Sequence, residues 1–250
     1  MIMAARKLPT RSNPSVTVTS DEDNAYEVGS SVVLNYKASL STGSYTYGPD
    51  TGITATAWEV KFNGETRTTA TGTFSSFVVK DNTNLRVTAT ATHGIGTIPI
   101  DNLGENITDS TELKNCQIQA GTKIGYTNYV TGYRNAFFGS KVEAIELTST
   151  NIRALANAKS TSGSLSVSIN EGASQVIIAV PTGRKVTKVA DEGAFGTDIF
   201  SEFVHSTVSV GGADATSENI GSNAKNYNVY VYSPKTALGS NTYTVTLADE

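Results

Sequence analysis

The side chains able to do chemistry in this 250-residue chain are few and scattered. There are two histidines, His93 and His205, and one cysteine, Cys116. A zinc site needs Cys, His or carboxylate ligands brought together, commonly at short sequence spacings. Neither histidine has a Cys or His nearby at such a spacing, so each reads as a surface or strand-end residue. Cys116 lacks the histidine and asparagine context of a thiol nucleophile, and a free cysteine usually behaves as a buried small hydrophobe. Glycoside cleavage needs two carboxyls about 5–9.5 Å apart. Asp191 with Glu192, or Asp198 with Glu202, are the available pairs, but adjacent acids on a strand point to opposite faces. With Gly193 and Gly196 beside them they read as solvated loop acids. Asp21, Glu22 and Asp23 lack the Asp-x-Asp-x-Asp-Gly spacing and distal Glu of a calcium loop and read as a turn. No catalytic, cofactor-binding or metal-ligating set is expected, and the chain is read as a non-enzyme.

Recognition chemistry is better represented. Tyr126, Tyr129, Tyr133, Phe137 and Phe138 crowd one Gly- and Asn-containing stretch. Tyrosine rings bury much area at small entropy cost and keep a polar edge, so Tyr126 and Tyr129 are candidates for a recognition surface. Tyr133, Phe137 and Phe138 are expected to fill a core, with Arg134 over a ring or paired to an acid. Tyr45 and Tyr47, on a Gly-flanked loop, form a second candidate pair. Arg6, Lys7 and Arg11 precede the first acid, Asp21, and suggest a basic arm that docks on an acidic surface. A net charge of −4 and a pI near 5.3 give no clustered basic footprint for phosphate, so no nucleic-acid partner is expected. No run approaches the 18 or so apolar residues of a membrane helix, and residues 1–5 are shorter than the apolar centre of a secretion signal, about 7–15 residues.

These side chains must be held by strands. Residues 31–39 place Val32, Leu34, Tyr36 and Ala38 on one face, and residues 85–92 place Leu85, Val87, Ala89 and Ala91 opposite Arg86, Thr88, Thr90 and Thr92. Residues 54–62 direct Thr56, Trp58, Val60 and Phe62 inward, and Asn63-Gly64 follows as a type I′ hairpin signal. With residues 15–19 and 74–80, these segments predict an immunoglobulin-like sandwich without its disulfide, plugged by Trp58. Residues 94–111 lose the alternation among Gly94, Gly96, Pro99 and Gly104. Strands resume at 164–169, 175–180, 184–190, 202–210, 226–232 and 242–247, after a short helix capped by Ser149 or Thr150 with Ile152, Leu155 and Ala156 facing inward. The expectation is an all-β chain: a basic N-terminal arm (1–13), an immunoglobulin-like β-sandwich (14–93), a linker (94–115) and a second β-sandwich containing the short helix (116–250).

Several strings resemble a module of virion proteins from tailed bacteriophages. In the first half these are Tyr26-Glu27-Val28-Gly29, Gly43-Ser44-Tyr45-Thr46-Tyr47-Gly48-Pro49 with Thr51-Gly52, and Gly72-Thr73-Phe74 leading to Asp81-Asn82-Thr83-Asn84. In the second half they are Gly132-Tyr133-Arg134 with Phe138-Gly139, Ile152-Arg153-Ala154-Leu155, Ile177-Ile178-Ala179-Val180-Pro181 and Tyr227-Asn228-Val229-Tyr230. The pieces span most of residues 26–247 in the family's order. The family's Gly-Ala-Asn-Gly-Tyr is replaced here by Gly211-Gly212-Ala213-Asp214 and a longer loop to Asn226, where surface and partner would differ. The resemblance implies a structural component of the capsid, neck, tail or fibre, acting by protein–protein assembly with other virion proteins and copies of itself, and it brings no catalytic residues. A second reading is a host-surface or carbohydrate-binding attachment module of a fibre. Assembly in the host cytoplasm fits a chain whose lone Cys116 excludes an intrachain disulfide.

Overall fold

A computed structural model of the chain describes residues 5–20 and 23–250. Residues 1–4 of the arm, and Asp21 and Glu22 of the expected acidic turn, lie outside them. The all-β expectation holds, but the chain divides into two compact units that are not consecutive in sequence. The first takes the described residues up to Asn24, Val33–Ser76 and Asn84–Val130; the second takes Ala25–Val32, Phe77–Thr83 and Thr131–Glu250. The expected single boundary at 94–115 is replaced by this interleaving.

The first unit has seven principal strands: β1 Ser15–Ser20, β2 Asn35–Ser41, β3 Ala55–Phe62, β4 Glu65–Arg67, β5 Thr71–Thr73, β6 Thr88–His93 and β7 Gly121–Tyr126. They form two antiparallel sheets, β1-β2-β5 and β7-β6-β3-β4. Asn63 and Gly64 both take positive φ, 46° and 81°, in the tight turn joining β3 to β4, as a type I′ hairpin requires. Period-2 alternation buries Val16, Val18, Tyr36, Ala38, Val60, Phe62, Ala89 and Ala91. The core is filled by tilted rings in contact, with Tyr36 and Phe62 lying 4.9 and 5.4 Å from Phe74 between centroids. Trp58 is only partly buried and Thr56 is exposed, because burial along that face rises toward Val60 and Phe62. Phe74, which lies outside any strand, takes the role expected of Trp58.

Residues 94–115 are packed chain rather than a linker. The Gly96 N–H donates to the Ile118 carbonyl and the Thr97 N–H to the Thr51 carbonyl, both at 2.8 Å. Asp101 is 3% exposed and accepts from the Leu103 and Glu105 N–H groups. Those backbone donors, the Glu105 one first, hold its carboxyl below the usual carboxylate range. A helix, α1 (Ser110–Cys116), follows with Asp109 as its cap, accepting from the Thr111 and Glu112 N–H groups. Asp109 and Glu112 have capping-box spacing, a legible signal that the sequence reading passed over. The polypeptide then returns as β7, pairing antiparallel with β6 from Thr88↔Tyr126 to His93↔Gly121.

The second unit carries β8 Asn135–Lys141, β9 Ala156–Lys159, β10 Ser164–Ile169, β11 Gln175–Pro181, β12 Arg184–Asp191, β13 Thr197–Asp198, β14 Val204–Val210, β15 Lys225–Tyr232 and β16 Asn241–Asp249. The sheets are β9-β8-β11-β15-β14 and β10-β16-β12-β13. Val176, Ile178 and Val180 of β11 join one core with Leu165, Val167, Val186, Val189, Tyr243 and Val245. Ile177 and Ala179, on the strand's other face, join a second core with Phe137, Tyr227, Ile152 and Leu155. A strand covered on both faces must be apolar throughout, which accounts for the Val-Ile-Ile-Ala-Val run. The covering helix, α2 (Ser149–Arg153), is capped by Thr148, whose hydroxyl accepts from the Asn151 N–H at 3.2 Å. The cap is one residue earlier than expected, and Ala156 is exposed on β9.

The borrowed segments are stitched into this unit by backbone bonds. Ala25–Glu27 runs parallel to Thr131–Tyr133, and Ser31–Val32 pairs antiparallel with Phe77–Val78. A Cβ on Gly132 would collide with the Lys80 carbonyl oxygen and crowd Val79 and Val28, so only glycine permits this close approach.

The β12–β13 turn presents Phe195 fully exposed in the left-handed region, at φ 55° and ψ 37°. Asp191 braces the turn by accepting from the Ala194 N–H and the Asn241 side-chain amide. Left-handed geometry costs an ordinary L-residue about 1–2 kcal/mol, and no burial offsets it here. Phe195→Gly is therefore expected to raise unfolding free energy by roughly 0.5–1 kcal/mol, read from urea melts. A loss of stability would show that the ring makes contacts that its exposure denies.

Candidate functional site

The outer face of the β7-β6-β3-β4 sheet gathers the exposed recognition chemistry of the first unit. Cross-strand register places Tyr126 beside Thr88 and Ile124 beside Thr90 on β6, with Lys61 and Glu59 of β3 on the other side of those threonines. Ile124, Tyr126 and Tyr129 are 52%, 48% and 45% exposed. The ladder continues beyond the strand ends, since the Thr127 N–H donates to the Val87 carbonyl and the Thr127 hydroxyl accepts from the Val87 N–H. Alternation then puts Arg86 on the same face as Thr88. Its guanidinium carbon lies 3.9 Å from the ring centroid of Tyr126 and 5.0 Å from that of Tyr129. Such stacking holds a planar cation while leaving its N–H edge to donate. Among the described residues no carboxylate lies within ion-pair distance of Arg86. A shallow hollow of about 260 Å³ opens beside it, bordered by Lys61, Asn63, Thr66 and Thr88.

The sequence reading singled out Tyr126 and Tyr129, and the structure brings both against one arginine. It missed Arg86, whose place in the alternation with Thr88, Thr90 and Thr92 looks like ordinary solvent-facing polarity. The available signal was that Arg86 is the one long cation in that outward set, on a strand adjoining the tyrosine-rich stretch.

The other expected residues are committed elsewhere. The Tyr45 hydroxyl donates to the Thr97 carbonyl and accepts from the Ile118 N–H, at 3.0 and 3.1 Å, so this ring braces its loop. Tyr47 is partly buried. Arg6 forks onto Glu112 at 2.8 and 3.0 Å and bonds Asp101 at 3.0 Å, while Arg11 donates to the Gln117 carbonyl. The Lys7 backbone N–H donates to Asn102 at 2.6 Å. The described part of the basic arm is therefore bound to its own unit rather than free to dock. Arg6 finds its partners in the segment expected to be a linker.

His93 is a strand-end residue but is buried rather than at the surface, at 2% exposure. Its Nδ1 lies 2.9 Å from the Gly94 carbonyl, and its Nε2 has no hydrogen-bond partner among the described residues. His205 is exposed, stacks on Tyr230 at 4.9 Å and meets Asn228 at 3.1 Å. Cys116 is buried. Asp198, Glu192 and Glu202 are exposed and Asp191 partly so, as expected of loop acids, and two of them also brace turns, Asp191 accepting from the Ala194 N–H and Asp198 from the Val189 and Phe200 N–H groups. Phe137 fills a core as expected, while Tyr133 lies under the Lys159 ammonium at 4.5 Å. Arg134 pairs with an acid, Asp81. Among the described residues, no three His, Cys, Asp or Glu side chains gather as a metal site, and no helix is long and apolar enough to cross a membrane.

Fold and site together define an all-β protein of two sandwich units whose exposed recognition chemistry lies on an open sheet face. No family model matches the chain, and neither does any curated protein or solved structure.

Proposed function

We propose that this chain is a non-enzymatic structural component of a tailed-phage virion, working through protein–protein assembly with other virion proteins and copies of itself. The observation that carries the reading is the exposed Ile124–Tyr126–Tyr129 surface on a hydrogen-bonded sheet. Rigid strands and rings that lose little entropy on burial suit a permanent interface. Phe195, fully exposed on its braced turn, supplies a second aromatic contact of the same kind. The first sandwich is read as immunoglobulin-like. Its β1-β2-β5 and β7-β6-β3-β4 sheets follow the A-B-E and G-F-C-C′ arrangement of that fold. The order of the family-like strings along the chain adds the phage setting.

The test is mass spectrometry of purified particles, followed by imaging of virions carrying a tagged chain. The expected result is several copies per particle at one position on the head, neck or tail. Absence from purified particles would sink the reading. A second reading, attachment to a host-surface glycan, is favoured by one observation: Arg86, with no ion pair among the described residues, lies against two exposed tyrosines.

A further inference from the structure

The geometry points to Arg86 as the anchor of a binding site for an acidic saccharide. In this site a sugar carboxylate or sulfate meets the guanidinium edge, and a pyranose ring lies against the exposed part of Tyr126 or Tyr129. The inference rests on the attachment reading and names its ligand class. Four features of the outer face of β7-β6-β3-β4 support it.

The first is charge. On this face Lys61 is matched by Glu59 at 2.8 Å, whereas Arg86 has rings and, among the described residues, no acid within ion-pair distance. An arginine held against rings, with no ion pair among the described residues, presents parallel N–H donors, the geometry that takes a carboxylate or sulfate bidentately. The second is preorganisation. Stacking fixes a side chain that would otherwise lose rotamer entropy on binding, and the backbone beneath it is tied through Thr127 to Val87. The third is the rings. Tyr126 and Tyr129 remain nearly half exposed although Arg86 covers part of them, which leaves apolar area for the C–H face of a sugar and a hydroxyl for its rim. The fourth is the shape and lining of the hollow. About 260 Å³, open, and edged by Thr88, Thr66, Asn63, Lys61 and Glu65, it offers hydroxyl and amide groups to a polyhydroxylated ligand, its one acid being engaged by Arg67 and the Ser75 N–H. An acidic peptide would use the same cation, so it serves as the competing probe.

The test is calorimetric titration of the full chain with three probes at low salt: an oligogalacturonate, a neutral maltohexaose and a poly-glutamate peptide. Oligogalacturonate should bind saturably and weaken as salt is raised. Arg86→Gln should lose about tenfold or more in affinity, and Tyr126→Ala and Tyr129→Ala should each lose several-fold. Arg86→Lys keeps the charge without the fork and should fall between, and circular dichroism melts establish that each variant is folded. Tyr47→Ala, outside the cluster, should bind as the parent does. The inference is overturned if oligogalacturonate fails to bind, if Arg86→Gln binds it undiminished, or if poly-glutamate binds as tightly. Binding of maltohexaose that is indifferent to Arg86 would overturn this inference while leaving the attachment reading intact. Failure of all saccharides together with absence of host-cell binding would remove both.

Discussion

Phe74→Ala is expected to cost about 3–5 kcal/mol of unfolding free energy, the usual range for removing a fully buried ring. Phe74 is 2% exposed and holds the centre of the ring cluster with Tyr36 and Phe62. The Arg67 guanidinium carbon sits 5.3 Å from its ring centroid. The Phe74 N–H donates to the Leu34 carbonyl at 3.0 Å, so the backbone that carries the ring is anchored and cannot readily collapse into the space left behind. The size of that unfilled space sets where in the range the cost falls. Trp58→Ala is the informative control. Although it deletes a larger ring, Trp58 is only partly buried, and its removal should cost markedly less. Urea denaturation of the two variants reads the difference, and a Trp58 cost equal to or above that of Phe74 would show that the indole is the plug after all.

The second large effect is expected at Asp81. Its carboxylate forks onto Arg134 at 2.7 and 2.8 Å, and the same guanidinium donates to the Asn223 carbonyl at 2.9 Å. The side chain of Arg134 is 7% exposed and that of Asp81 is 52%. Removing one partner of a buried pair costs about 3–5 kcal/mol because the other charge stays behind unpaired. Here water reaches the Asp81 side, so Asp81→Ala is expected to cost about 1–3 kcal/mol. Arg134→Met removes the buried charge itself and leaves an acid that water can solvate, so it should cost less than Asp81→Ala. The opposite order would show that the arginine's packing, rather than its charge, dominates.

The pair also sets a pH dependence. The Arg134 hydrogen bond, ahead of its charge, holds the Asp81 carboxyl below its ordinary value of 3.8. A depressed folded-state pKa contributes stability that is present above the ordinary value and lost as pH falls through the folded one. Parent protein should therefore weaken below about pH 4, and Asp81→Ala should show a shallower acid limb. Asp101 and Asp214 are also held low, so some acid sensitivity should remain in the variant.

Strands with a single covered face were legible in the sequence. The Ser-Leu-Ser-Val-Ser-Ile alternation of residues 164–169 predicts β10 to the residue, and Ile152 and Leu155, expected to face inward at the short helix, both join the core. The interleaving was not legible, for a physical reason. Alternation through residues 31–39 continues without a fault across the point between Val32 and Val33 where the polypeptide passes from one unit to the other. Local periodicity reports which side of a strand is buried and is silent on which partner buries it. Long-range pairings such as Ala25–Glu27 beside Thr131–Tyr133 leave no local trace. Of the site, the exposed rings were visible as composition. The convergence on Arg86 depends on a register between β6 and β7 across an intervening helix, which no spacing rule encodes.

The interleaving also bears on how the molecule is made. Ala25–Glu27 leaves the ribosome roughly a hundred residues before its partner strand, a wait of about 5–20 s at ordinary rates of synthesis. Through that interval Val28, Val32, Phe77 and Val79, all buried in the finished protein, have no completed sheet to cover them. Residues 33–76 and 84–130 can begin to condense meanwhile, with two loops still unspoken for. The nascent chain thus passes through a stage in which half-built strands advertise apolar residues to any neighbour. That interval, more than the stability of the finished sandwiches, decides how much of the nascent protein needs a chaperone's cover.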